Sequence, residues 1–153
     1  QRAAIAMALA CQPKVLLADE PTTALDVMVQ AQILELLVSL TEDLGLALVL
    51  VTHDLPLVSQ VCTRAAVMYA GRIAEIGSTR ELYHAPIHPY TRMLFAATPD
   101  LLAAEPVISI PGAPPRLDQP ITGCPFQPRC DSALAPCTTD EPPLRTAGPG
   151  HTG

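Results

Sequence analysis

The chain has 153 residues, of which 49% are hydrophobic, and it carries a formal net charge of −6 at pH 7. This length suits one domain, and the acidic balance argues against nucleic-acid binding, which selects clustered lysine and arginine. No apolar run approaches the roughly 18 residues of a membrane span, and no signal peptide is evident, so a cytoplasmic character is expected for the chain as given.

The first elements along the chain are a helix and a strand. An alanine-rich stretch predicts a helix over residues 3–12, which Pro13 ends. The apolar run from Val15 to Ala18 then predicts a buried parallel strand, and Asp19 and Glu20 follow at its carboxyl end. Two carboxylates at such a strand tip suit a metal ion and an attacked water. The alternative is a strand that ends in a solvated acidic turn.

A second strand follows after a predicted helix. The helix covers residues 26–44, with an apolar stripe at a spacing of three and four, and Gly45 is its expected end. Residues 46–51 form another apolar run, and His53 comes just after it. Since a strand, helix and strand in this order form a right-handed parallel unit, His53 is expected beside Asp19 and Glu20. The alternatives are a strand-end histidine with a structural partner and, for Asp26, a simple helix N-cap.

Three short motifs in these segments resemble one family. Leu-Leu-Ala-Asp-Glu-Pro at 16–21 looks like the Walker B segment of ABC-transporter ATPases, Thr-Ala-Leu-Asp at 23–26 resembles their D-loop, and Thr-His-Asp at 52–54 resembles their H-switch. The resemblance implies an α/β fold, namely a partial P-loop NTPase sheet with flanking helices. It also implies ATP and Mg²⁺ as the ligands of the site.

The resemblance assigns a role to each of four residues. Asp19 would hold Mg²⁺ through water, because Mg²⁺ keeps several waters and takes few carboxylates. Glu20 would act as general base on the attacking water, and His53 would stabilise charge at the γ-phosphate. Asp26 would lie at the interface with a second ATPase domain. Glu20 and His53 are therefore the predicted catalytic residues, and Asp19 and Asp26 the predicted nucleotide-site residues.

Two motifs of that family are missing from the printed sequence. It has no Gly-x-x-x-x-Gly-Lys-Ser/Thr loop to cradle phosphates, and no Leu-Ser-Gly-Gly-Gln signature. The residues from Gln1 to Ala10 resemble the helix that follows the signature. We therefore expect the C-terminal part of a longer ATPase, and we expect the isolated polypeptide neither to bind nor to hydrolyse ATP appreciably.

The middle of the chain predicts a hairpin and two short helices. Residues 64–70 and 72–76 indicate two strands around Gly71, and Ser78 with Glu81 forms a capping box at the start of a helix that ends near His84. Another helix is expected up to about residue 97. His-Pro-Tyr-Thr-Arg at 88–92 resembles a segment in ATPases of oligopeptide, dipeptide and nickel importers.

The last third of the chain is rich in proline, and two of its segments strengthen the same resemblance. These are Ile-Pro-Gly-Ala-Pro-Pro at 110–115 and Gly-Cys-Pro-Phe-Gln-Pro-Arg-Cys at 123–130. Prolines fix φ and remove hydrogen-bond donors, so a mostly irregular extension is expected rather than a second sheet domain. The predicted division is 1–84 for the ATPase part and 85–153 for a Pro/Cys-rich C-terminal extension.

Three cysteines in this extension allow two interpretations. Cys124, Cys130 and Cys137 have a spacing that fits neither a zinc ribbon nor a ferredoxin. The importer branch implies an iron–sulfur cluster there, normally with four cysteines. The fourth ligand would then be His151 or a residue beyond those shown. Reduced structural thiols are the equal alternative, since a cytosolic chain does not rely on disulfides.

The resemblance finally implies a function for the parent protein. It would be the ATP-hydrolysing subunit of an ABC importer, with peptides as the expected cargo and nickel or another small solute as the alternative. Its partners would be a second ATPase subunit, two membrane permeases and, indirectly, an external solute-binding protein, at the cytoplasmic face of the membrane. A non-enzymatic remnant that binds metal or a partner is the alternative from another class, and a DNA-repair ATPase is disfavoured by the acidic charge.

Overall fold

The computed structural model describes residues 1–98 and 109–153, so part of the predicted extension, residues 99–108, lies outside the described residues. The chain divides into two compact units, Gln1–Cys62 and Thr63–Gly153. The predicted division between residues 84 and 85 rests on sequence resemblance, and it stays a prediction. Within the described ranges, no helix combines the length and the apolar character that crossing a membrane requires.

The first unit is a strand–helix–strand arrangement with a helix at each end. Its elements are α1 (Arg2–Leu9), β1 (Val15–Asp19), α2 (Val27–Leu44), β2 (Ala47–Val51) and α3 (Leu55–Val61). The two strands are parallel and run in register from the Val15–Ala47 pair to the Asp19–Val51 pair. Both strands therefore end at the same edge, as the sequence predicts.

Helix α2 has the ends and the buried side that its sequence predicts. The Asp26 side chain caps its first turn, and Gly45 ends it in the left-handed conformation at φ +62°. Ile33 and Leu37 of this helix pack with Leu16 and Leu46 in the core of the unit. The two ends of the predicted stripe, Val29 and Leu44, are exposed instead.

One face of the β1–β2 sheet is not covered. Val15, Leu17, Val49 and Val51, which alternate with the core positions, are between 48% and 67% exposed. The sequence predicts strands that are buried on both faces, and this expectation is wrong for the chain by itself. The cause is that α2 covers one side only, and strand side chains alternate between the two sides.

The second unit begins with the predicted hairpin. Its helices and strands are β3 (Arg64–Tyr69), β4 (Arg72–Ser78), α4 (Thr79–His84), α5 (Pro89–Ala96), β5 (Thr146–Gly148) and β6 (His151–Thr152), with two 3-10 turns at Gln127–Arg129 and Ala135–Thr138. Ala70 and Gly71 both have positive φ in the hairpin turn, at 50° and 77°. The capping box of Ser78 and Glu81 is confirmed.

The extension contributes strands that the sequence does not predict. The sheet of this unit has the order β3-β4-β6-β5, and β6 pairs antiparallel with β4 through Thr152 and Ile76. The described part of the extension is mostly irregular, as predicted, but its C-terminal end adds two short strands to the sheet of the hairpin. Strands of three and two residues are too short to show the alternation by which strands are predicted.

Aromatic side chains form the core of the second unit. The ring of Tyr69 lies 4.6 Å from that of Tyr90 and 5.2 Å from that of Phe126, centroid to centroid. Arg129 donates from Nε to the carbonyl of Pro111 at 2.7 Å and from a guanidinium nitrogen to the hydroxyl of Tyr69 at 3.2 Å. These contacts hold the proline-rich segment near residue 111 to the hairpin, although it forms no regular element.

Candidate functional site

The predicted catalytic pair is in direct contact at the ends of the two parallel strands. Nδ1 of His53 lies 2.7 Å from Oε1 of Glu20. The Glu20 side chain is 37% exposed, and that of His53 is 84% exposed, so both are open to a ligand. The parallel register of β1 and β2 brings these two residues together although 33 positions separate them in the sequence.

The backbone holds Glu20 in an unusual conformation. Its N–H donates to the carbonyl of Val51 at 2.8 Å, which continues the pairing one residue beyond the strand. Its φ is +45°, in a region that costs a residue other than glycine on the order of 1–3 kcal/mol. The Thr23 hydroxyl donates to Oε2 of Glu20 at 3.2 Å. The turn after β1 thus fixes both the direction of the side chain and its second oxygen.

The contact changes the pKa of both partners. The hydrogen bond with His53 lowers the pKa of Glu20 below its ordinary value, and the same bond raises the pKa of His53. The charges of Glu20 and Asp54 add to the rise at His53. The pair therefore favours an ionised carboxylate next to a protonated imidazole.

The other two predicted residues lie close by in the chain. Asp19 is the last residue of β1, is exposed, and stands opposite Val51 in the register. Its carboxylate oxygens are ligands of the type that Mg²⁺ takes. Oδ1 of Asp26 accepts from the N–H of Val29 at 2.9 Å, so the predicted N-cap is confirmed. Its role at a subunit interface stays a prediction.

The structure gives no support to the implied iron–sulfur cluster. Among residues 1–98 and 109–153, no three His, Cys, Asp or Glu side chains are grouped so as to hold a metal ion. Cys124 and Cys137 are joined through their backbones, since the N–H of Cys124 donates to the carbonyl of Cys137 at 2.9 Å. Nε2 of His151 contacts Oε1 of Glu75, and this buried histidine belongs to no group of potential metal ligands in the described part of the chain. Three partly exposed, reduced thiols are what this segment offers.

The sequence analysis misses the buried pair of Glu75 and His151. Nε2 of His151 lies 2.7 Å from Oε1 of Glu75, and the two residues are 6% and 0% exposed. The carboxylate also accepts from the N–H groups of Ile87 and His88, each at 2.9 Å. The signal in the sequence is the Gly-Pro-Gly turn at 148–150 directly before His151, which indicates a turn but does not identify Glu75 as the partner.

A comparison with solved structures first indicates the class of protein. A solved structure of cbiO1 from Clostridium perfringens, described as part of the ABC transporter complex cbiONQ, matches with a TM-score of 0.51 and 39% sequence identity. The match covers 55% of this chain and 34% of that one. The fold is therefore that of part of an ABC ATPase, as predicted.

Sequence comparisons then indicate the type of ABC transporter to which the chain is similar. Residues 74–137 match the family described as "Oligopeptide/dipeptide transporter, C-terminal region". The oligopeptide transport ATP-binding protein OppD of Escherichia coli is 50% identical over 99% of this chain, and the dipeptide transport ATP-binding protein DppD of the same organism is 49% identical. The chain spans 45% and 46% of those two relatives. Residues 74–137 are therefore similar to the C-terminal region of oligopeptide and dipeptide transporter proteins, and nearly the whole chain is similar to part of their ATP-binding proteins.

Proposed function

We propose that the protein containing this chain is the ATP-hydrolysing subunit of an ABC importer for oligopeptides or dipeptides. The observation that carries the proposal is the 2.7 Å contact between Glu20 and His53 at the tips of two parallel strands. The identity of about 50% to OppD and DppD, over nearly the whole chain, supports peptides as the cargo.

The geometry of the pair supports distinct roles for Glu20 and His53. Glu20, whose pKa is lowered further by its hydrogen bond with His53, is ionised at neutral pH and can take a proton from an attacking water. Because the pKa of His53 is raised and Nδ1 faces Glu20, its Nε2 is left to donate toward a γ-phosphate. Asp19 would hold Mg²⁺, which when bound neutralises charge on the transferred phosphoryl group.

The uncovered face of the β1–β2 sheet supports a site completed by other parts of the protein. Four apolar side chains on this face are exposed, which is costly unless further structure covers them. Asp26 and the first turn of α2 would face a second ATPase subunit. Two permeases would be moved by the closing pair, at the cytoplasmic face of the membrane, and a solute-binding protein would deliver the cargo.

A reconstituted importer tests this proposal. The full-length protein, with its permease pair in lipid vesicles, is supplied with ATP, Mg²⁺ and the cognate binding protein loaded with peptide. We expect ATP turnover to rise when peptide is present and peptide to accumulate in the vesicles. If nickel or another small solute is transported and peptide has no effect, that solute replaces peptides as the proposed cargo. No ATP turnover under any condition would overturn the proposed function.

A further inference from the structure

A side-chain hydrogen bond joins the start of α2 to the start of α3. Nε2 of Gln30 donates to Oδ2 of Asp54 at 3.3 Å, and the pair is partly buried. The other oxygen of Asp54 accepts from the N–H of Leu57 at 3.2 Å, which caps α3. The two oxygens of one carboxylate thus connect two helices, and the residue that carries it is the direct neighbour of His53.

Gln30 is also fixed to the segment on its other side. Its backbone N–H donates to the carbonyl of Asp26 at 2.8 Å in the first turn of α2. Asp26 caps the same turn through its side chain. A continuous series of contacts therefore leads from Asp26 through Gln30 to Asp54. It continues along the backbone to His53, whose side chain contacts Glu20.

We propose that Gln30 is a positioning residue that couples the segment around Asp26 to His53. The inference rests on the proposed ATPase function. When a partner subunit displaces the turn before α2, the amide of Gln30 carries the displacement to Asp54 and so to the imidazole that faces Glu20. Gln30 touches neither nucleotide nor water in this role. It acts only through its hydrogen bond to the Asp54 carboxylate.

A series of substitutions in the full-length importer tests this coupling. Gln30→Lys keeps a donor toward Asp54, Gln30→Ala removes it, and Gln30→Glu replaces it with a repelling charge. We expect kcat for ATP to fall in that order, with the alanine variant reduced roughly threefold to thirtyfold, while KM changes less than about twofold. The same three changes at Gln32, an exposed residue on the same helix whose amide oxygen accepts from Arg2, are the matched control. They should show no such order.

A double-mutant cycle separates coupling from a general loss of structure. Gln30→Ala and Asp54→Ala are combined, and Gln30→Ala should have little further effect once Asp54 is alanine, because Gln30 acts only through that carboxylate, whereas Asp54 also caps α3. Additive losses, or a Gln30 series in which only KM changes, would overturn the coupling while the ATPase function stands. A wild-type protein without ATP turnover would instead refute the proposed function itself.

Discussion

His151 contacts Glu75 inside the second unit, with 2.7 Å between Nε2 and Oε1, and thereby joins the last strand of the chain to β4. The same carboxylate accepts from the N–H groups of Ile87 and His88, just before α5. Glu75 thus connects a hairpin, a helix start and the C-terminal strand.

Replacing Glu75 with glutamine should destabilise this unit strongly. The change leaves backbone donors and a histidine facing a neutral amide, and a hydrogen bond to a charged group contributes about 1.5–3 kcal/mol. The three tyrosines of the chain, Tyr69, Tyr83 and Tyr90, all lie in this unit, so tyrosine fluorescence during denaturant unfolding follows its stability. Glu42→Gln, at an exposed position of α2, is the control. Equal stability of the two variants would contradict the role of Glu75.

Acid should weaken the same unit through Glu75. Burial acts to raise the pKa of this carboxyl, but the hydrogen bonds from Ile87, His151 and His88 together lower it below its ordinary value of about 4.5. Since the folded pKa is below the unfolded one, the stabilisation is complete above about pH 4.5 and is lost as pH falls through the lower folded value. Unfolding free energies measured from pH 6 to about pH 3 should fall more steeply for the wild-type chain than for Glu75→Gln. If the unfolding free energies of the two chains fell in parallel with pH, Glu75 would not titrate in this way.

Two glycines with positive φ should respond differently to alanine. At Gly123, φ is +70° and an added Cβ would lie 2.4 Å from the carbonyl oxygen of Cys137. At Gly71, φ is +77° but nothing lies within 4 Å of the added atom. Gly71→Ala should therefore cost only the backbone strain, roughly 1–2 kcal/mol, and Gly123→Ala should cost more. Tyrosine-monitored unfolding compares them, and a smaller loss at Gly123 would argue against the close packing of residues 123 and 137.

The imidazole of His53 should titrate above its ordinary range. Its hydrogen bond with Glu20, helped by the charges of Glu20 and Asp54, raises its pKa above the ordinary value of about 6.5. Its charged form therefore persists to higher pH than that of a free histidine. In Glu20→Gln the midpoint should drop toward 6.5, as measured by NMR of the ring with Glu42→Gln as control. An unchanged midpoint in Glu20→Gln would mean that the two side chains do not meet in solution.

The sequence predicts those parts of the structure that long, periodic segments determine. The apolar run before Asp19, the stripe of α2 and the run before His53 suffice to bring Glu20 and His53 to one sheet edge, because parallel strands end together. The pair of Glu75 and His151 escapes prediction for two reasons. The partners are 76 positions apart, and Glu75 stands in a strand where a polar residue looks like one on a solvated face. The hydrogen bond from Gln30 to Asp54 is not predicted for a similar reason, since a glutamine on a helix usually faces solvent.

ATP turnover of the full-length importer with Glu20→Gln tests the central claim most directly. If Glu20 is the general base held by His53, the variant should still bind ATP and should lose turnover by about 10²–10⁴-fold, the range typical of general-base catalysis. Glu42→Gln should turn over ATP at the wild-type rate. Turnover in Glu20→Gln equal to that of Glu42→Gln would contradict the account and would leave the contact between Glu20 and His53 without a catalytic role.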